Sequence, residues 1–291
     1  MNNDNKVLAC VDQSSFANNV ANYAAWAARR MQIPLEFLHV IDRHLEKGSG
    51  DDHSGAIGID AQENLLNKLA AKDEAHSKST REQGRALLSQ LREQATRAGA
   101  TQVDVRQRHG ELADTLAEQE ASMALLVLGR QGETTTDNPH KLGGSVEHVV
   151  RALHKPTLVV PETFKEPQRV MIAFDGSTVT RRGVEMLATD SLFHELFRGL
   201  SITLLMSGKE KPNANKQLDW AKTMLLTAGF EVTALLIPGD TETVIAVTIK
   251  EQNIDLLMMG AFSHSSLRSL LFGSKTADLL RTVMIPTLLL R

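Results

Sequence analysis

Three blocks of this chain occur twice, in the same order. "KVLACVDQS" (Lys6–Ser14) returns as "RVMIAFDGS" (Arg169–Ser177). "VDVRQRHGELADTLAEQEASMALLVLGRQG" (Val103–Gly132) returns as "VTALLIPGDTETVIAVTIKEQNIDLLMMGAFS" (Val232–Ser263). "GGSVEHVVRALHKPTLVV" (Gly143–Val160) returns as "FGSKTADLLRTVMIPTLLL" (Phe272–Leu290). A repeat of this length means two copies of one architecture rather than a solenoid of small units. The spacing predicts domains over residues 1–161 and 168–291, joined by the proline- and charge-bearing stretch "PETFKEPQ" (Pro161–Gln168).

Inside each copy, short apolar runs alternate with helical patterns. Strands are expected near 6–11, 34–41, 102–108, 124–129 and 156–160, and again near 169–174, 200–206, 231–237, 255–260 and 286–290. Helices of the first copy are expected near 15–31, 61–98, 111–121 and 144–153, the second of them broken or bent near "SKST" (Ser77–Thr80). The runs "ALLVLG" and "DLLMMG" are apolar without alternation, as strands buried on both faces are. Strand–helix alternation implies right-handed crossovers and parallel pairing. The expected fold class is therefore α/β, with two open five-stranded parallel sheets carrying helices on both faces. The first copy is longer because the polar, glycine-rich stretch Asp42–Asp60 follows its second strand, and this reads as a surface loop or disordered insertion.

In such a sheet, ligands bind beyond the carboxyl ends of the strands. The sequence places polar groups there twice. Asp12 and Asp175 end the first strand, Gly129 and Gly260 end the fourth, and Gly144-Ser145 and Gly273-Ser274 open the last helix. A helix N-terminus presents unsatisfied N–H groups and about half a positive charge, so an anion is welcome there. The carboxylate suits a ribose hydroxyl, an adenine amine or Mg²⁺ better than a phosphate. Each feature has a plainer reading as a helix cap; the repetition of the whole constellation at one sheet edge favours the site.

The constellation resembles the universal stress protein family, with two such domains in one chain. The resemblance covers nearly all of the chain except the insertion around 42–60. The family's motif G-x2-G-x9-G-[ST] follows the fourth strand and holds ATP phosphates, and an aspartate ending the first strand accompanies it; "VDQS" and "FDGS" supply that aspartate twice. The resemblance implies an ATP-binding stress-response sensor or regulator of adenine-nucleotide alpha hydrolase-like, Rossmann-like fold, possessing at most slow hydrolysis. It implies nucleoside contacts from Asp12 and Asp175, adenine contacts from the backbone near Val40 and Met206, and phosphate contacts from Gly129, Gly132, Gly144, Ser145 and Val146. In the second copy the phosphate contacts would come from Gly260, Ser263, Gly273, Ser274 and Lys275. Both copies depart from the motif. Eleven residues (133–143) separate Gly132 from Gly144-Ser145, and Ser263 stands where the second copy should have glycine, although its spacing to Gly273-Ser274 is the family's. On spacing the second copy is the slightly better match. Proline begins both last strands ("KPTLVV", "IPTLLL"), which predicts edge strands; the resemblance implies that residues 156–160 and 286–290 pair, docking the halves as a pseudo-dimer, with a further homodimer open.

Other classes are disfavoured. Of 291 residues, 42% are hydrophobic and 23% charged, an ordinary globular composition, and the net charge of −3 gives no general field for nucleic acid. No window approaches a membrane span and no signal peptide is evident, so a cytoplasmic location is expected. The single cysteine, Cys10, lies in "VLACV" and reads as a small buried hydrophobe. The ten histidines show no metal-ligand spacing, and His148 and His154 read as surface or cap residues. No nucleophile elbow or Walker-type loop is present. The rival readings are a module of the same fold that binds no nucleotide and works through protein contacts or another small ligand, and a catalytic adenylate-forming or ATP-pyrophosphatase relative.

Overall fold

The computed structural model describes residues 5–41, 59–133, 143–208, 212–261, 279–280 and 282–291. In the first half, β1 (Lys6–Cys10), β2 (Leu35–Ile41), β3 (Val103–His109), β4 (Met123–Gly129) and β5 (Thr157–Val160) alternate with α1 (Ala17–Met31), α2 (Ile59–Arg97), α3 (Leu112–Ala117) and α4 (Gly144–Ala152). The second half has β6 (Arg169–Ala173), α5 (Thr178–Thr189), α6 (Ser191–Phe197), β7 (Ser201–Gly208), α7 (Ala214–Thr227), β8 (Glu231–Pro238), α8 (Thr241–Glu251), β9 (Leu256–Gly260) and β10 (Thr287–Leu290). All ten predicted strands are present. The helix expected over 111–121 ends at Ala117 and is followed by a single 3₁₀ turn, Glu120–Ser122. The long helix α2 runs as one element through Ser77–Thr80, contrary to the break expected there.

The strands form one sheet in the order β3-β2-β1-β4-β5-β10-β9-β6-β7-β8. Each half's five strands are parallel, and β5 meets β10 antiparallel, Leu158 opposite Leu288 and Val159 opposite Thr287. The proline-led strands are therefore edges of their own half but interior to the whole, and every residue of both is buried. The outer edges of the sheet are β3 and β8. Each proline precedes its strand, so it removes no ladder donor.

Helix α1 is alanine-rich, and ten of its fifteen residues are buried, around most of its circumference. An apolar helix face needs a cover, and here the far side is covered by the second half. The main apolar cluster contains Val20, Ala24 and Trp26 of α1 together with Phe193, Leu196 and Phe197 of α6. Arg30 at the end of α1 donates to the carbonyls of Leu196 (2.7 Å) and Arg198, beyond the last turn of α6. The linker is tied down as well. Tyr23 donates to the Thr163 carbonyl (3.3 Å) and accepts from the Lys165 N–H (3.2 Å), while the buried carboxylate of Asp255 accepts from the N–H groups of Gln168 and Arg169 (both 3.1 Å) and pairs with Lys165.

Candidate functional site

The strand order reverses between β1 and β4 in the first half and between β6 and β9 in the second. An open cleft of about 180 Å³ lies at the first of these switch points. Among the predicted residues, Asp12, Val40, Gly129, Gly132 and Val146 line it. They arrive from four elements. Asp12 follows β1, Val40 stands next to the last residue of β2, Gly129 ends β4, and Val146 is in the first turn of α4. Gly144 and Ser145 are the first two residues of that helix, whose start is capped by backbone only, Gly143 accepting from the Val146 N–H at 3.1 Å.

Asp12 braces the glycine loop. Its Oδ1 accepts from the N–H (3.1 Å) and hydroxyl (2.5 Å) of Ser14, and its Oδ2 accepts from the Glu133 N–H at 2.9 Å. A carboxylate has about four acceptor positions, so lone pairs remain for a ligand. The two glycines are required sterically. A Cβ on Gly132 would lie 2.8 Å from Asp12 Oδ2, and one on Gly129 would lie 2.8 Å from the Phe16 Cβ and 3.1 Å from the Gln131 carbonyl oxygen. Between them, Arg130 fixes the loop to both halves. Its N–H donates to Val160 O (3.0 Å), its carbonyl accepts from Gly143 N–H (3.0 Å), and its guanidinium reaches the second half, to Met284 Sδ (3.1 Å) and the Val283 carbonyl. Only 2% of Arg130 is exposed, and burial pulls its pKa down to about 10.

Residues not foreseen from the sequence complete the cleft. Phe16 and Leu128 form apolar wall, His39 lies beneath with Nδ1 2.9 Å from the Val11 carbonyl oxygen, and Gly110-Glu111 form the rim beyond β3. A signal for that rim was available: glycine follows the third strand in both halves, and Gly110 and Gly239 share a left-handed φ of 146° and 142°. Cys10 lines the floor. Burial first, then the charges of Asp12 and Glu36, push its thiol well above the ordinary range, so it serves as apolar floor and not as a nucleophile.

The second half keeps the plan with different filling. Asp175 Oδ1 accepts from the Ser177 N–H (2.9 Å) and the Thr180 hydroxyl (2.8 Å), and Ser177 caps α5. Gly176 has φ +75°, and a Cβ there would meet Gln217 Oε1 of α7 at 1.8 Å. Arg181 lies over the Trp220 ring, 4.7 Å from its centroid, and Trp220 stacks near Phe174. Met206 lies within β7, two residues before its end, with its side chain in the core. Gly260 ends β9. Ser263, Gly273, Ser274 and Lys275 lie outside the described residues, as do the polar side chains His264, Ser265 and Arg268 and most of the insertion. Among the described residues, no group of three or more His, Cys, Asp or Glu side chains could hold a metal ion, and no helix is long and apolar enough to cross a membrane.

The sequence model of the universal stress protein family matches this chain twice, over residues 5–161 and 167–291. The chain belongs to the universal stress protein family. A universal stress protein from Synechocystis sp. is 32% identical over 286 residues, covering 98% of this chain and 99% of that one. Among solved structures, a universal stress protein from Archaeoglobus fulgidus aligns over 100% of this chain and 99% of its own with a TM-score of 0.70 at 16% identity. A putative universal stress protein from Pseudomonas aeruginosa aligns over 98% of this chain and 92% of its own with a TM-score of 0.62 at 15% identity. Those two structural matches are likenesses of fold. Both family matches span one strand-Asp and one strand-Gly apiece, so the cleft and its remodelled partner are two versions of the same universal stress protein edge.

Proposed function

We propose that this protein is a stress-response sensor or regulator that binds an adenine nucleotide, ATP, in the cleft of its first half. The observation that carries the reading is convergence. Asp12 and the glycines Gly129 and Gly132 come from two separate repeated blocks, the family resemblance adds Val40 and Val146, and all five line one cleft at the sheet's switch point. The phosphates would lie along the Gly129–Gly132 loop and the N-terminus of α4, where N–H groups and the helix dipole favour an anion. Gly144 fits that role, because among the described residues a Cβ there would meet nothing within 4 Å. Asp12 would accept from the nucleoside while holding the loop. Mg²⁺ needs few protein ligands when phosphates coordinate it, and Asp12 would offer one carboxylate in the cleft. The first half is favoured because Gln217 reaches the backbone at Gly176 beside Asp175. The halves would act as an internal pair through β5 and β10.

The test is extraction of nucleotide from the purified protein together with an ATP-dependent thermal shift. Bound adenine nucleotide near one equivalent, and a melting point that rises with ATP, are expected. Absence of both would refute the reading and leave a module that works through protein contacts or another small ligand.

A further inference from the structure

A second concavity, about 550 Å³, lies between α2 and the edge strand β3. Arg81, Arg85 and Arg92 line it from the helix, and Val105, Gln107 and His109 from the strand. The arginines stand at i, i+4 and i+11, so they form one stripe about 16 Å long. The buried Leu88 lies between them as apolar floor. Gln107 Nε2 donates to the Arg81 carbonyl (3.4 Å) and ties the two walls together. Among the described residues, none of the three guanidinium groups has a carboxylate partner, whereas the arginines on β3 itself are paired, Arg106 with Glu36 and Arg108 with Glu118, both at 3.0 Å.

The duplication supplies an internal control. Counting back from Ala98-Gly99 and Ala228-Gly229, which follow α2 and α7, Arg81 corresponds to Lys211, Arg85 to Asn215, Ser89 to Asp219 and Arg92 to Lys222. On the strands, Gln107 corresponds to Leu236 and His109 to Pro238. The same architecture thus forms with Asn215 in place of Arg85 and without Gln107 or His109, while basic residues recur at Lys211 and Lys222, so the middle arginine and the strand's polar groups are not required by the fold. Three like charges on one helix face with no carboxylate partner among the described residues favour an anionic partner.

The edge strand says which anion. Gly110 N–H donates to Ile41 O (3.1 Å), and Gln102 O accepts from Leu35 N–H (2.8 Å), so the even-numbered residues of β3 face β2. By alternation the N–H and C=O groups of Val105 and Gln107 point outward, on the side where no described strand pairs. An extended chain added to that edge would project every second side chain toward α2, at a repeat of about 6.8 Å, close to one helical turn. We propose that this groove binds an extended acidic peptide by strand addition to β3, with carboxylates at alternate positions meeting Arg81, Arg85 and Arg92. Main-chain hydrogen bonds supply affinity and the arginines supply specificity. Among the described lining residues there is no Phe, Tyr or Trp on which bases could stack, which argues against a single-stranded nucleic acid.

The experiment uses the full chain and a fluorescein-labelled ten-residue peptide of alternating Glu and Thr, with fluorescence anisotropy at low salt. Saturable binding is expected, weakening as salt rises, with none for the matching Lys-Thr peptide. Arg81→Gln/Arg85→Gln/Arg92→Gln should lower affinity at least tenfold without moving the melting point, and Val105→Pro, which removes one outward N–H, should weaken binding as well. Unchanged affinity in the triple variant overturns the proposal. Polyphosphate or single-stranded DNA that competes as well as the peptide, together with no effect of Val105→Pro, overturns it in favour of a general polyanion surface. These outcomes are independent of whether the cleft holds nucleotide.

Discussion

Gly132→Ala tests how the cleft is held. The added methyl would lie 2.8 Å from Asp12 Oδ2, an oxygen that also accepts from the Glu133 N–H at 2.9 Å. The carboxylate cannot simply swing aside, because Ser14 holds its other oxygen through two donors. The contact is relieved when Asp12 releases Glu133 or the loop moves outward. A hydrogen bond to a charged group contributes about 1.5–3 kcal/mol when well shielded, and this one is partly open to water, so about 1 kcal/mol is lost. In a chain of this size that lowers the melting point by only about 2 °C. The nucleotide should feel it more, since a loop no longer pre-set must be ordered on binding. A cost of about 1–2 kcal/mol in binding is a loss of about 5- to 30-fold in affinity. Isothermal titration with ATP, beside thermal melts, separates the two effects. Gly144→Ala is the companion: with nothing within 4 Å of its new Cβ, it should leave the melt unchanged and weaken ATP only if a phosphate packs on that helix end. Wild-type affinity in Gly132→Ala would refute the claim that the Asp12 brace sets the site.

Two further outcomes are expected. Burial raises the pKa of Tyr23, so the folded state favours its neutral hydroxyl; that stability is fully present below about pH 10 and is lost as pH rises through the elevated folded value. Tyr23→Phe should therefore cost about 1 kcal/mol at neutral pH and flatten the decline in urea midpoint above pH 10, whereas an unchanged alkaline slope would show that this hydroxyl does not hold the linker. Cys10 should not react with a thiol reagent at pH 8 in the native protein and should give one equivalent in denaturant; rapid native labelling would show that the cleft floor opens.

The sequence was informative wherever the physics is local. Continuous apolar runs located central strands such as β4 and β9, since strands buried on both faces admit little else, while the edge strands β3 and β8 stood out through their place in the repeat. The register of the three repeated blocks placed Asp12 and Gly129 at the carboxyl ends of their strands and Gly144-Ser145 at the start of their helix, because strand ends and helix starts are short-range features. Reading beyond one element was less secure. The Ser77–Thr80 stretch has weak helix formers, yet α2 continues through it. Phe16, His39 and the Gly110-Glu111 rim reach the cleft from three different parts of the chain, and no spacing within one block links them.

By itself, then, the sequence determined the class of sheet, its duplication and that Asp12 and Gly129 stand at its carboxyl edge, because backbone hydrogen bonding and side-chain periodicity act over a few residues. The tertiary structure alone decided that two proline-led edge strands close into the interior of one ten-stranded sheet, and that Arg130 reaches into the other half. It also decided that Gln217 meets Gly176, while the first half keeps an open cleft. Those outcomes depend on which distant surfaces meet, and burying apolar area and pairing open strand edges select them only when the whole chain is folded.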